Sequence, residues 1–233
     1  MKKIWGIIGA MEIEVSSLQE RLSDAEIYKI ASMYFYKGSL EGNDVVVVRS
    51  GVGKVNAALC TQILVDRFNV SVIINTGMAG SLTDKLNVGD ILISSEAMQH
   101  DMDATGFGYK KGEIPSADTS LFPASRELMD LALECAKDAV PHIKVMEGRV
   151  LTGDQFISDN VKKKELVEEM GGMCAEMEGA AIAQGAFLNK VPFLIIRCIS
   201  DNADSDAGIS FDKFEKMAAE NSVALVTSMI CRS

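Results

Sequence analysis

Short apolar runs alternate along this chain with segments whose apolar residues fall three or four apart. The first run, Ile4–Gly9, is apolar at successive positions, as expected of a strand covered on both faces. Residues 12–22 then read as a helix. Segments 34–40 and 45–50 flank Glu41-Gly-Asn-Asp44 and predict a hairpin. Lys54–Phe68 reads as a helix with Val55, Leu59 and Ile63 on its inner stripe. A strand over 70–76 enters Gly77-Met-Ala-Gly80, read as a bend, and a further strand covers 90–95. Residues 100–116 carry Gly106, Gly108, Gly112 and Pro115 and predict a long loop, a length that in compact domains usually marks function. Helices over 125–139, 159–170 and 176–189 and strands over 144–152 and 191–200 follow. A last helix over 212–230 packs through Phe214, Met217, Ala218 and Leu225. The alternation predicts one α/β domain over residues 1–233, a three-layer α/β/α sandwich around a mixed twisted sheet.

Composition narrows the function. The 233 residues are 48% hydrophobic, enough for one large core. Acidic residues outnumber basic ones 33 to 23, and no Lys/Arg-rich run interrupts that balance. Nucleic-acid binding through phosphate neutralisation is therefore not expected. The apolar start runs straight into Glu12 and Glu14, too short for a secretory leader. No segment approaches the roughly 18 apolar residues that cross a bilayer. Five cysteines without Cys-x-x-Cys spacing, beside only His100 and His142, do not make a metal site and read as buried free thiols in a reducing compartment. The expected setting is the cytoplasm, and the histidines read as surface or loop residues.

Two glycine-rich stretches invite a nucleotide reading, and both fail it. Ser50-Gly-Val-Gly-Lys54-Val55 has Val48 where a phosphate loop needs glycine and Val55 where it needs Ser or Thr. Gly6-Ile-Ile-Gly9 lacks the dinucleotide spacing. No cofactor is expected. The acids are more telling. Glu14 follows the first strand, Glu176 and Glu178 open an Ala-rich helix, and Asp201 ends an apolar strand. Each alone is explained by helix-dipole compensation, about 0.3–1 kcal/mol, or by turn capping. Core packing would likewise account for Met11, Met177 and Phe211 singly. Jointly, acids at strand ends mark a crevice where ligands bind in α/β proteins. Acids with few bases nearby suit hydrolysis of a neutral or cationic substrate.

Their order along the chain carries a resemblance. Gly6-Ile-Ile-Gly-Ala-Met-Glu-Ile-Glu14-Val, Ser50-Gly-Val-Gly-Lys-Val55, Asn75-Thr-Gly-Met-Ala-Gly80, Gly153-Asp-Gln-Phe156-Ile157, Glu176-Met-Glu178-Gly-Ala and Arg197-Cys-Ile-Ser-Asp201 cover nearly its whole length. Together they resemble the 5′-methylthioadenosine/S-adenosylhomocysteine nucleosidases of the purine nucleoside phosphorylase superfamily. The resemblance implies release of adenine from those nucleosides, in methionine salvage and recycling of S-adenosylmethionine by-products. It implies that Asp201 protonates adenine at N7 and that Glu14 holds and deprotonates the attacking water. Glu178 would bind the ribose hydroxyls, with Glu176 beside it and Met177 against the sugar. Phe156 would stack on adenine, whose edge is read by backbone at Phe156 or Ile157. Met11, Val52 and Phe211 would line the ribose and 5′-alkylthio pocket. Ala104, Phe107 and Pro115 would close it from a neighbouring subunit, because the family is homodimeric. Met78 stands where many members carry a small Ser, and Ala104 is smaller than usual.

The chemistry suits this assignment. Adenine is a poor leaving group as an anion, so an acid at N7 is valuable, typically ~10²–10⁴-fold. A carboxylate and a water on the opposite sugar face repeat the division of labour in inverting glycosidases. A phosphorylase is the alternative within enzymes, but acids and a methionine occupy ground where a phosphate dianion needs donors. A nucleoside-binding module without turnover is the alternative outside them, although binding alone does not need Glu14. The sequence leaves open the preference among methylthioadenosine, adenosylhomocysteine, 5′-deoxyadenosine and futalosine-type nucleosides.

Overall fold

The computed structural model describes residues 3–232. In chain order these form β1 (Ile4–Gly9), α1 (Glu12–Glu20), β2 (Ser23–Ile30), β3 (Met33–Leu40), β4 (Asn43–Arg49), α2 (Lys54–Phe68), β5 (Val72–Ser81) and β6 (Ile91–Gln99). After a 3₁₀ turn at Thr105–Phe107 come β7 (Phe122–Pro123), α3 (Arg126–Ala139), β8 (Val145–Thr152), α4 (Asn160–Met170), β9 (Cys174–Glu176), α5 (Gly179–Leu188), β10 (Phe193–Asp201) and α6 (Ala207–Cys231).

All strands join one mixed sheet. β2, β3, β4, β1 and β5 lie side by side, with β1 parallel to both β4 and β5. Beyond β5 the sheet rolls up. β5 pairs with β10 and β9, β10 with β6, β6 with β8 and β8 with β9, so these five strands close into a ring. Side chains alternate across the sheet. Trp5 and Ile7 face a core built with Val15 and Leu18 of α1, Leu128 and Met129 of α3, and Leu225 and Met229 of α6. Ile8 faces the opposite core, with Cys60 and Leu64 of α2 and Ile182 and Ala183 of α5. Helices thus flank both faces, which fits the expected layers.

Several details depart from the sequence expectation. β2 was not expected: it is exposed along almost its whole length, pairs with β3 alone among the described residues, and carries charges that suit a sheet edge instead of apolar alternation. Gly77–Gly80 is not a bend, because β5 runs straight through it, buried at every residue. On α2 the inner stripe is Ala57, Cys60, Thr61, Leu64 and Phe68, while Val55 is 72% exposed and Leu59 50%. The small residues Ala57, Cys60 and Thr61 take the first half of that face, where α2 lies close on α5 and a Cβ on Gly185 would come 2.9 Å from the Thr61 methyl. α6 begins before the expected start, and its Met217 is exposed while Ala218 and Leu225 are buried. Of the thiols, Cys231 is exposed and the other four are buried. His100 is not a surface residue: it is buried, and neither ring nitrogen has a hydrogen-bond partner among the described residues.

Candidate active site

The carboxyl ends of β1, β5 and β10 meet at a cavity of about 190 Å³. It is lined by Met11, Glu14, Val52, Met78, Phe156, Glu176, Met177, Glu178, Asp201 and Phe211, together with Ala10, Ala79, Gly80, Ala175 and Ser200. Four of these are acids, and none is Lys, Arg or His.

Glu14 sits in the first turn of α1 and folds back over its N-terminus. Its Oε2 accepts from the Ala10 and Met11 amides at 2.6 and 2.9 Å, and Oε1 accepts from the Met78 amide at 3.2 Å. Burial pushes the carboxyl above its ordinary range, opposed by the Arg197 charge and by those amides. Gly77 makes room for it, since a Cβ there would lie 2.5 Å from Glu14 Oε1.

Asp201 closes β10 immediately after a β-bulge. Ile199 pairs with Ala79 and Asp201 with Gly80, leaving Ser200 as the extra residue. Bulges of this kind re-aim side chains beside active sites. Asp201 Oδ1 accepts from the Ala203 amide and Oδ2 from the Ser200 hydroxyl, both at 2.8 Å. Burial raises its pKa, only partly offset by those two bonds. A Cβ on Gly80 would come 2.6 Å from Oδ1. The two acids therefore touch β5 at Met78 and Gly80, two residues apart, roughly 6–7 Å along a strand.

Glu176 and Glu178 divide differently than expected. Glu176 belongs to β9 instead of a helix, and its carboxylate caps α5 from outside by accepting from the Gly179 amide at 2.8 Å. It also bonds the Thr152 hydroxyl and forms a buried ion pair with Arg197, which in turn reaches Asn75. Glu178 is the N-cap residue of α5 and accepts from the Gly53 amide at 2.8 Å. Gly53 has φ +97°, a backbone state that suits glycine. Burial, and then the neighbouring Glu176 charge, push the Glu178 carboxyl upward.

Other expected residues lie elsewhere. The Ile157 side chain is buried with Leu151, Leu166 and Met170 and does not line the cavity, although its neighbour Phe156 does and meets Phe211 edge to face. Ala104, Phe107 and Pro115 do not line it either; Ala104 is buried and Phe107 is 87% exposed. Sequence reasoning assigned no part to Arg197, Thr152, Asn75 or Ser200. An arginine inside the apolar run of β10 was the available signal, because a buried cation demands a partner. Among the described residues no cluster of His, Cys, Asp and Glu is placed to hold a metal, and no helix is long and apolar enough to cross a membrane.

A sheet with this topology, holding an acid-lined cavity at its strand ends, matches over residues 5–230 the family model described as the phosphorylase superfamily. The 5′-methylthioadenosine/S-adenosylhomocysteine nucleosidase of Shewanella denitrificans is 44% identical over 230 residues, covering 97% of each chain. A crystal structure of that nucleosidase from Colwellia psychrerythraea, in complex with adenine, superposes with a TM-score of 0.94 at 42% identity, over 99% of this chain and 95% of that one. The futalosine hydrolase of Helicobacter pylori has the same TM-score, 0.94, at 34% identity, over 99% and 98%. The chain belongs to the 5′-methylthioadenosine/S-adenosylhomocysteine nucleosidase family.

Proposed function

We propose that residues 1–233 act as a single nucleosidase domain that hydrolyses the N-glycosidic bond of 5′-methylthioadenosine and S-adenosylhomocysteine. The products are adenine and the 5′-thioribose compound. The observation that carries this reading is one cavity shared by Glu14 and Asp201, with no cationic side chain lining it among the described residues.

In this reading Asp201 is the general acid at N7. Its raised pKa favours the protonated form, and the Ser200 hydroxyl can accept from a protonated carboxyl as readily as it donates to an ionised one. Glu14 holds water and takes its proton. Three amides contact Glu14, and amides can only donate, so they fit the ionised form. The different partners separate two acids that burial alone would treat alike. Glu178 binds the ribose hydroxyls with Met177 against the ring, and Phe156 stacks on adenine. Glu176, tied to Arg197, holds the α5 N-terminus that presents Glu178. Met11, Met78, Val52 and Phe211 enclose the sugar and its 5′ group, and the backbone at Ile157 reads the base edge.

The cavity wall offers no cationic side chain to hold a phosphate dianion, and an ionised Glu14 repels one, which favours water as nucleophile. Adenine release from either nucleoside in phosphate-free buffer is expected at full rate; a requirement for phosphate would make the enzyme a phosphorylase instead. The protein works as a homodimer, in which Ala104, Phe107 and Pro115 of one subunit close the cavity of the other. Their absence from the chain's own cavity supports this, as do the exposed Val52, Val55 and Leu59 at its edge and on α2. Cytoplasmic residence is supported by four buried free thiols.

A further inference from the structure

A second pocket, of about 460 Å³, opens from the nucleoside cavity and shares Ala10, Met11 and Val52 with it. Of those shared residues, Met11 and Val52 are ones assigned above to the sugar and its 5′ group. Sites for ligands of this size usually offer roughly 300–1,000 Å³. The nucleoside cavity alone is about 190 Å³, and the adjoining pocket offers a long 5′ group the further room.

The adjoining pocket is chemically different. Where the cavity offers only acids, the pocket is lined by one acid and one base, Glu12 at the start of α1 and Arg49 at the end of β4. The Arg49 Nε lies 3.4 Å from a Glu12 oxygen, and both side chains are about half exposed, at 51% and 58%. A pair that open is held weakly and exchanges partners at little cost. Asn56 and Tyr34 add polar groups to the same wall.

We propose that this pocket is a subsite for an α-amino acid zwitterion carried on the 5′ sulfur, with Arg49 taking its carboxylate and Glu12 its ammonium. The inference rests on the nucleosidase reading and deepens it. A zwitterion presents opposite charges one carbon apart, and a neighbouring Arg and Glu can each turn from the other to the matching end. The guanidinium fork suits a carboxylate in two-point contact. A bare methylthio group carries no charge for Arg49 or Glu12 to hold, so the subsite discriminates between the two substrates without touching the bond that breaks.

The test measures KM for adenosylhomocysteine and methylthioadenosine with wild type, Arg49→Gln and Glu12→Gln. Each substitution is expected to raise the ratio of the two KM values about fivefold, the scale of an exposed charge pair. The analogue lacking the carboxylate, with a 3-aminopropylthio group, supplies the matching deletion on the ligand. Arg49→Gln is expected to leave its KM near the wild-type value, because the partner charge is already gone. An unchanged ratio in both variants overturns the subsite, as does an equal Arg49→Gln effect on the analogue and on adenosylhomocysteine. Methylthioadenosine turnover by wild type reports separately: its absence would sink the nucleosidase reading, whereas an unchanged ratio with turnover intact sinks the subsite alone.

Discussion

Glu178 carries the clearest link between a single residue and the stability of the fold. It is buried beside the Glu176–Arg197 pair, and burial raises its pKa in the fold above the ordinary 4.5. A raised carboxyl contributes stability that is fully present below the unfolded pKa and is lost as pH rises through the folded one. Glu178→Gln keeps an oxygen for the Gly53 amide while removing the buried charge. The variant is therefore expected to match wild type near pH 4 and to become more stable by on the order of 1–2 kcal/mol as pH rises toward alkaline. Urea denaturation at a series of pH values reads this directly, and a gap that shrinks with rising pH would contradict it. If Glu178 binds the ribose hydroxyls as proposed, the same substitution is expected to weaken substrate binding, so stability and function oppose one another at this position. The acids were legible in the sequence because they recur in one order beside glycine-rich strand ends. The partner of Glu176 was less so: Arg197 was in view within the motif, but only the fold brings the two side chains together from β9 and β10.

At the scale of elements, the site depends on strand β5 lacking side chains where two carboxylates approach it. Gly77 lies under Glu14 and Gly80 under Asp201, so that backbone and acid make direct contact. The sequence suggested a bend here because two glycines three apart resemble a turn. Burial shows the other use of glycine, which is close approach within a strand. Gly77→Ala places a Cβ 2.5 Å from Glu14 Oε1 and 3.1 Å from Arg197 Nη1. Displacing Glu14, the proposed base, by a fraction of an ångström to an ångström is expected to lower kcat about 10²-fold, with the far-ultraviolet dichroism retained. Wild-type turnover in that variant would mean that Glu14 is not held where the account requires. The β10 bulge at Ser200 was not legible at all, because strand register depends on the partner strand and leaves no mark in local composition. The edge strand β2 escaped for a related reason, since a strand hydrogen-bonded on one side and solvated on both faces has no apolar alternation to detect.

For the molecule as a whole, the apolar alternation predicted the layered α/β plan, and what it missed is the rolling of the sheet into a ring at β9, a three-residue strand. Two packed faces explain the buried hydrophobics, but not Val55, Leu59 and Phe107, which stay exposed. If they form the dimer contact, Leu59→Glu is expected to give monomers in sedimentation, with turnover reduced because the cavity loses its outer wall. A fully active dimer would move the interface elsewhere. The central claim is that Asp201 activates the departing base. The most direct measurement compares Asp201→Asn with wild type on methylthioadenosine and on the matching 4-nitrophenyl 5-methylthioriboside, whose leaving group departs without protonation. The account predicts a loss of ~10²–10⁴-fold on methylthioadenosine and little change on the nitrophenyl compound. Equal losses on both substrates would contradict it.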